Sequence, residues 1–79
     1  MARVLLFGPL RDLAGWRDRR FEAGSIEALR AAIAVEDADL AQALAGPGVQ
    51  VAVDQQVVRI NVALSADSEV AFLPPMSGG

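Results

Sequence analysis

Cysteine, histidine and lysine are all missing from this chain of 79 residues. Without cysteine, neither a disulfide nor a thiolate metal site can staple a small fold. Without histidine, the commonest general base and the commonest metal ligand are gone as well, and no metal site is expected. The missing lysine has two readings. An activated acyl group at the C-terminus would have no neighbouring side-chain amine to attack it, and an arginine- and alanine-rich coding bias would leave the same mark. Positive charge is scarce too: 7 basic residues against 10 acidic ones leave a net charge of −3. No basic stripe for nucleic acid is present. The Arg17, Arg19, Arg20 cluster is diluted by Asp18 and Glu22 and reads as a solvated turn. No apolar run approaches the ~20 residues that span a membrane. Met1-Ala2-Arg3 leads directly into a strand-like run, without the layout of a secretory leader. The expected location is the cytoplasm, with neither nucleic acid nor a membrane as partner.

What is present is apolar. The apolar fraction of 53% is too high for a disordered chain. The length allows one domain with a modest core. Much of the apolar content is alanine, and a surplus on so short a chain points to surface covered by a partner.

Val4-Leu5-Leu6-Phe7 is a short apolar run, expected as a central strand buried on much of both faces. Gly8-Pro9 ends it, and Leu10 to Ala14 fits a short helical turn with Gly15 past its end. Arg19 to Glu22 can return antiparallel as a second strand. Ser25 is a good helix N-cap with Glu27 in the first turn, and Ile26, Leu29 and Ile33 have helical spacing, so the main helix is expected from Ile26 to Val35. Asp37-Ala38-Asp39 can cap a second helical stretch through Leu40 and Leu44, stopped by Gly46-Pro47-Gly48. Val49–Val53, a turn over Asp54-Gln55-Gln56 and Val57–Ile60 read as a hairpin. Glu69–Phe72 makes the last strand, and Pro74-Pro75 forbids its continuation inside a sheet. The carboxylates Asp37, Asp39, Asp67 and Glu69 read as capping, turn and strand-end residues rather than catalytic ones.

Two strands, a helix and three strands are the layout of an α+β, ubiquitin-like β-grasp. It implies a mixed sheet of about five strands with one main helix packed on one face, and the first and last strands parallel at its centre. Residues 1–73 would form that domain and residues 74–79 an extended tail. The tail Pro74-Pro75-Met76-Ser77-Gly78-Gly79 follows directly from a buried-looking strand. The proline pair favours an extended path, and six residues reach roughly 20 Å at full extension. Gly78 and Gly79 carry no side chains, so the strip can thread a narrow channel and present its carboxylate to another protein's active site.

The ending Val70-Ala71-Phe72-Leu73-Pro74-Pro75-Met76-Ser77-Gly78-Gly79 resembles that of the MoaD-type sulfur carriers, the small subunits of molybdopterin synthase. The resemblance covers essentially the whole chain. It includes the opening Val4 to Phe7, the Leu10-Arg11-Asp12-Leu13-Ala14-Gly15 segment, the helix start Ser25 to Arg30, and Val51 to Gln55, where asparagine is more usual at the place of Asp54. Phe72-x-Pro-Pro-x-x-Gly-Gly is the specific part.

The resemblance implies that an ATP-dependent enzyme similar to the ubiquitin-activating class adenylates Gly79. A sulfur donor system would convert the adenylate to a thiocarboxylate. The tail, Pro74 through Gly78, would then insert into the large catalytic subunit and deliver sulfur to cyclic pyranopterin monophosphate. The chain itself would be non-catalytic, would bind no cofactor stably, and would join a heterotetramer. Strand alternation places Leu5, Phe7, Ala71 and Leu73 on the face away from the helix. Phe7 and Leu73 are therefore candidates for an apolar docking patch with Arg11 at its rim, the other reading of Phe7 being core. Trp16 reads as a cap on the core edge or as an interface anchor. Rival functions are the sulfur carrier of thiamine biosynthesis, a protein modifier joined through Gly79 to lysines, and a plain β-grasp interaction domain with an inert tail.

Overall fold

The computed structural model of the chain describes residues 1–75. Five strands form one sheet in the order β2-β1-β5-β3-β4. They are β1 (Ala2–Leu6), β2 (Asp18–Phe21), β3 (Gln50–Val53), β4 (Gln56–Val58) and β5 (Glu69–Leu73), with helices α1 (Gly8–Ala14), α2 (Ile26–Glu36) and α3 (Ala38–Leu44) between them. β1 and β5 pair in parallel at the centre, and the other pairings are antiparallel. This is the mixed β-grasp sheet that the element order predicts.

The core lies between the sheet and the helices. Val4, Leu6, Val70 and Phe72 point inward from the two central strands and are almost fully buried. Against them pack Ile26, Leu29 and Ile33 of α2, together with Leu40 and Leu44 of α3. Those spacings of three and four residues put each set on a single helical stripe. Val35 falls off the stripe and is 88% exposed.

Local chemistry defines the helix ends. The Ser25 hydroxyl accepts from the Ala28 amide at 3.1 Å. Asp37 serves two helices. Its own amide donates to the Ile33 carbonyl at 2.8 Å, closing α2, and its carboxylate accepts from the Leu40 amide at 3.0 Å, opening α3. Gly15 closes α1 at φ 82, a left-handed conformation that glycine enters without steric cost.

Three expectations are corrected. β1 is Ala2–Leu6 rather than Val4–Phe7, and it is buried on one face only, with Arg3 exposed and Leu5 half-buried. The reason is that its outer face carries no helix. β4 is Gln56–Val58, and its pairing with β3 ends at Val51↔Val58, leaving Arg59 and Ile60 outside the ladder. The arginine cluster is a solvated turn only in part: Arg17 lies in an exposed bend, whereas Arg19 and Arg20 lie in β2, where the second strand is expected, and Arg19 is half-buried. The Arg19 guanidinium sits 4.7 Å from the Phe21 ring centroid and 5.3 Å from that of Trp16, and it bonds Glu36 at 3.0 Å. Trp16 is accordingly half-buried at the core edge, tilted against Phe21.

On the outer face, Arg3 donates to both carboxylate oxygens of Asp18, the shortest contact being 2.6 Å. That hydrogen bond holds the Asp18 carboxyl below its ordinary value of 3.8. A depressed carboxylate stabilises the fold above its unfolded pKa and loses that contribution as pH falls through the folded one. Asp18→Asn should therefore lower the melting temperature slightly at neutral pH, as befits an exposed pair. The gap should begin to close as pH falls below 3.8 and vanish once the depressed Asp18 carboxyl is itself protonated. A gap that persists in acid would contradict the assignment.

Leu29, with 0% exposure, tests the core. Leu29→Ala should cost about 2–5 kcal/mol in urea unfolding, and a near-neutral result would place the α2 contact elsewhere.

Candidate functional site

The site begins where the two central strands end. Because β1 and β5 run in parallel, both chains leave the sheet at the same edge. β1 passes through Phe7 into α1. β5 ends at Leu73 and continues as Pro74, half-buried, and Pro75, exposed. Neither proline has an amide proton to extend the ladder. A β-carbon built on Gly8 would lie 3.5 Å from Pro74 Cγ, so the start of α1 packs directly on the tail root. The expected tail residues Met76, Ser77, Gly78 and Gly79 lie outside the described residues.

The outer sheet face divides into two zones. Strand register puts Leu5 beside Ala71, Ala71 beside Ala52, Ala52 beside Val57 and Gln50 beside Leu73. Leu5, Ala71 and Leu73 are half-buried, Val57 is 49% exposed and Phe7 is 44% exposed. Phe7 follows Leu6, whose partner is Phe72, and so falls level with Leu73. These apolar side chains lie at the tail end of the face. At the far end, Arg3, Asp18 and Glu69 form an ion-pair cluster, with Arg3 2.6 Å from Asp18 and 3.6 Å from Glu69.

The structure thus brings Phe7, Leu73, Pro74 and Pro75 to one edge. Phe7, the N-cap of α1, is substantially exposed rather than core. Arg11 is exposed on α1, with its guanidinium 3.8 Å from the Asp12 carboxylate.

A groove of about 550 Å³ lies elsewhere, between the start of α2 and the β3–β4 edge, walled by Ile26, Arg30, Val51, Val58 and Ile60. Among the described residues, no set of three His, Cys, Asp or Glu side chains is arranged to hold a metal. No buried polar side-chain atom lacks a hydrogen-bond partner among them. No helix among them is long and apolar enough to cross a membrane.

Two structural residues escaped sequence reading. The Asn61 side chain accepts from the Glu27 amide at 2.9 Å, capping α2 from 34 residues away, and no local pattern signals so distant a cap. The Arg19–Phe21 stack did have a signal, because residues two apart in a strand share a face.

The sheet order, the parallel central pair and the proline-led exit from β5 define a ubiquitin-like β-grasp protein. The chain belongs to the ThiS family, whose pattern matches residues 4–79. It is 36% identical over its whole length to the molybdopterin synthase sulfur carrier subunit of Escherichia coli (strain K12), also covering all of that protein. Solved relatives in shape include the small archaeal modifier protein 1 (SAMP1) of Methanosarcina acetivorans, with a TM-score of 0.86 at 19% identity, covering 99% of this chain and 95% of that one. SAMP1 of Haloferax volcanii gives 0.78 at 25% identity, covering 99% and 98%.

An outward-facing Leu73 makes a stability prediction. Leu73→Asp should keep a cooperative unfolding transition and lose about 1–2 kcal/mol, from reduced strand propensity and partial burial. Loss of folding would show that Leu73 belongs to the core.

Proposed function

We propose that this chain is a sulfur carrier, the small subunit of a molybdopterin synthase, with residues 1–73 as its folded domain and residues 74–79 as its working tail. The observation that carries the reading is the co-location of two features. The central strand that leads to Gly78-Gly79 ends in Leu73-Pro74-Pro75 beside an uncovered apolar zone containing Phe7 and Val57. Full-length similarity to a molybdopterin synthase sulfur carrier subunit supports it.

The chemistry is divided between proteins. A carboxylate resists acyl substitution because its leaving group is poor. A ubiquitin-activating-like adenylyltransferase supplies a better one: a Gly79 carboxylate oxygen attacks the α-phosphorus of ATP, pyrophosphate departs, and an acyl adenylate forms. A sulfur donor system then delivers sulfur to the acyl carbon with loss of AMP, leaving a thiocarboxylate. The tail residues Pro74 to Gly78 carry that sulfur into the large catalytic subunit, where cyclic pyranopterin monophosphate receives it. The apolar zone of Phe7 and Leu73, with Arg11 near it, docks the domain. ATP is consumed by the activating enzyme and is held by no site on this chain. The cytoplasm, where ATP and the partner enzymes meet, is the proposed setting, and two small with two large subunits the proposed assembly.

A second reading, a protein modifier joined through Gly79 to target lysines, draws on the likeness to SAMP1 of Haloferax volcanii. Both functions need the same activated terminus. The absence of lysine in this chain would limit such conjugates to single attachments through side chains. The thiamine-pathway carrier shares the fold and the terminal glycines, and the Phe72-x-Pro-Pro segment favours the molybdopterin assignment over it.

Reconstitution tests the proposal. Deleting Gly79 should leave the melting temperature unchanged and abolish sulfur transfer to the pterin substrate by purified activating enzyme, sulfur donor and large subunit. Normal transfer by the truncated chain would overturn it. In the same system, Leu73→Asp should weaken binding of the large subunit by tenfold or more, on the order expected for a residue central to an interface.

A further inference from the structure

Three backbone segments meet where β5 ends. β1 and β3 flank β5 on its two sides. Two residues past the end of β1 stands Gly8, and two residues before the start of β3 stands Gly48. Both are left-handed, at φ 56 and φ 84. Gly8 packs at ordinary distance on Pro74, but a β-carbon on Gly48 would lie 2.7 Å from Pro75 Cβ and 3.6 Å from its Cα and Cγ. The first distance falls roughly 1 Å short of the usual 3.5–4.0 Å between carbons. The two proline rings therefore rest against glycine backbone on both sides, in a notch that any side chain at Gly48 would fill. Proline rings are rigid and hold φ near −65°, so where they rest determines the direction in which the chain leaves Pro75. Four residues, at most roughly 13 Å of chain, separate Pro75 from the terminal carboxylate.

We propose that Gly48, with Gly8 on the other flank, is a positioning residue that aims the terminal glycine of the tail. It acts through Pro75 and touches no reacting atom. The functional consequence rests on the sulfur-carrier reading above, whereas the notch is a property of the free protein. Gly15 supplies an internal control: its φ of 82 matches that of Gly48, yet a β-carbon there meets nothing within 4 Å. Alanine at either position meets the same backbone strain, and only at Gly48 does it strike the tail root.

The experiment compares full-length Gly48→Ala and Gly15→Ala, each in the native and the Pro75→Gly background. Amide chemical shifts of Ser77, Gly78 and Gly79 report the tail in the free protein. Steady-state ATP-dependent thiocarboxylate formation by the activating enzyme reports function. Both alanine variants should lose stability through the left-handed backbone, Gly48→Ala at least as much as Gly15→Ala. Gly48→Ala alone should move the tail amides and lower kcat by about tenfold or more, with KM little changed, since misplacing a reacting group by 1 Å costs up to about 10²-fold. In the Pro75→Gly background, Gly48→Ala should add no further loss.

The proposal is overturned if Gly48→Ala matches Gly15→Ala in shifts and kcat, or if its penalty is equally large without the proline ring. Should Gly48→Ala fail to fold, Pro75→Gly alone empties the notch from the other side. It must then move the same amides, and unchanged shifts would overturn the proposal. If the unaltered protein forms no thiocarboxylate, the sulfur-carrier reading fails, while the tail amides still decide the notch.

Discussion

The parallel pairing of β1 with β5 is the constraint on which the rest of the molecule depends. It aligns Val4 with Val70 and Leu6 with Phe72, four inward side chains that α2 and α3 cover. A parallel pair cannot be closed by a tight turn, so the whole intervening chain serves as its crossover. The same pairing holds the last strand at the sheet centre, flanked on both sides. Residues 74 and 75 thus leave from a strand paired on both sides, and a functional group gains accuracy when it is built on such a regular element.

The two faces of the sheet then take different tasks. The inner face buries Phe72 and Val70 and supplies stability. The outer face is graded from the Arg3–Asp18–Glu69 ion pairs at one end to Phe7, Leu73 and the prolines at the other. The face is therefore asymmetric, and like charges or buried unpaired ones disfavour a reversed approach to such a surface. The described residues gather no metal-binding set.

Much of this was legible in the sequence because punctuation residues acted locally. Ser25, Asp37, Gly15 and the Gly46-Pro47-Gly48 stop each mark an element end through their own backbone or side chain. Strand limits were less legible because they depend on partners. Ala2 and Arg3 enter β1 through pairing with β2 and β5, which no local pattern announces. The hairpin turn is tighter than Asp54-Gln55-Gln56. Asp54 and Gln55 alone make it, both at positive φ, a conformation more often given to glycine or asparagine. The alternation of Leu5, Ala71 and Leu73 was readable, and so was their shared outer face. Arg19, read as solvent-facing, turned out to stack on two aromatic rings because charge composition ignores which face a strand residue takes. The Gly48–Pro75 contact had no sequence signature at all, since it joins a loop to the tail only once the sheet has formed.

The measurement that most directly tests the central claim is the intact mass of the protein freshly isolated from its native cells, under conditions that preserve thiocarboxylates, followed by fragmentation to locate any change. The account predicts a fraction in which one sulfur replaces one oxygen at Gly79. An unmodified terminus in every preparation, or Gly79 found only in amide linkage to lysines of other proteins, would contradict it.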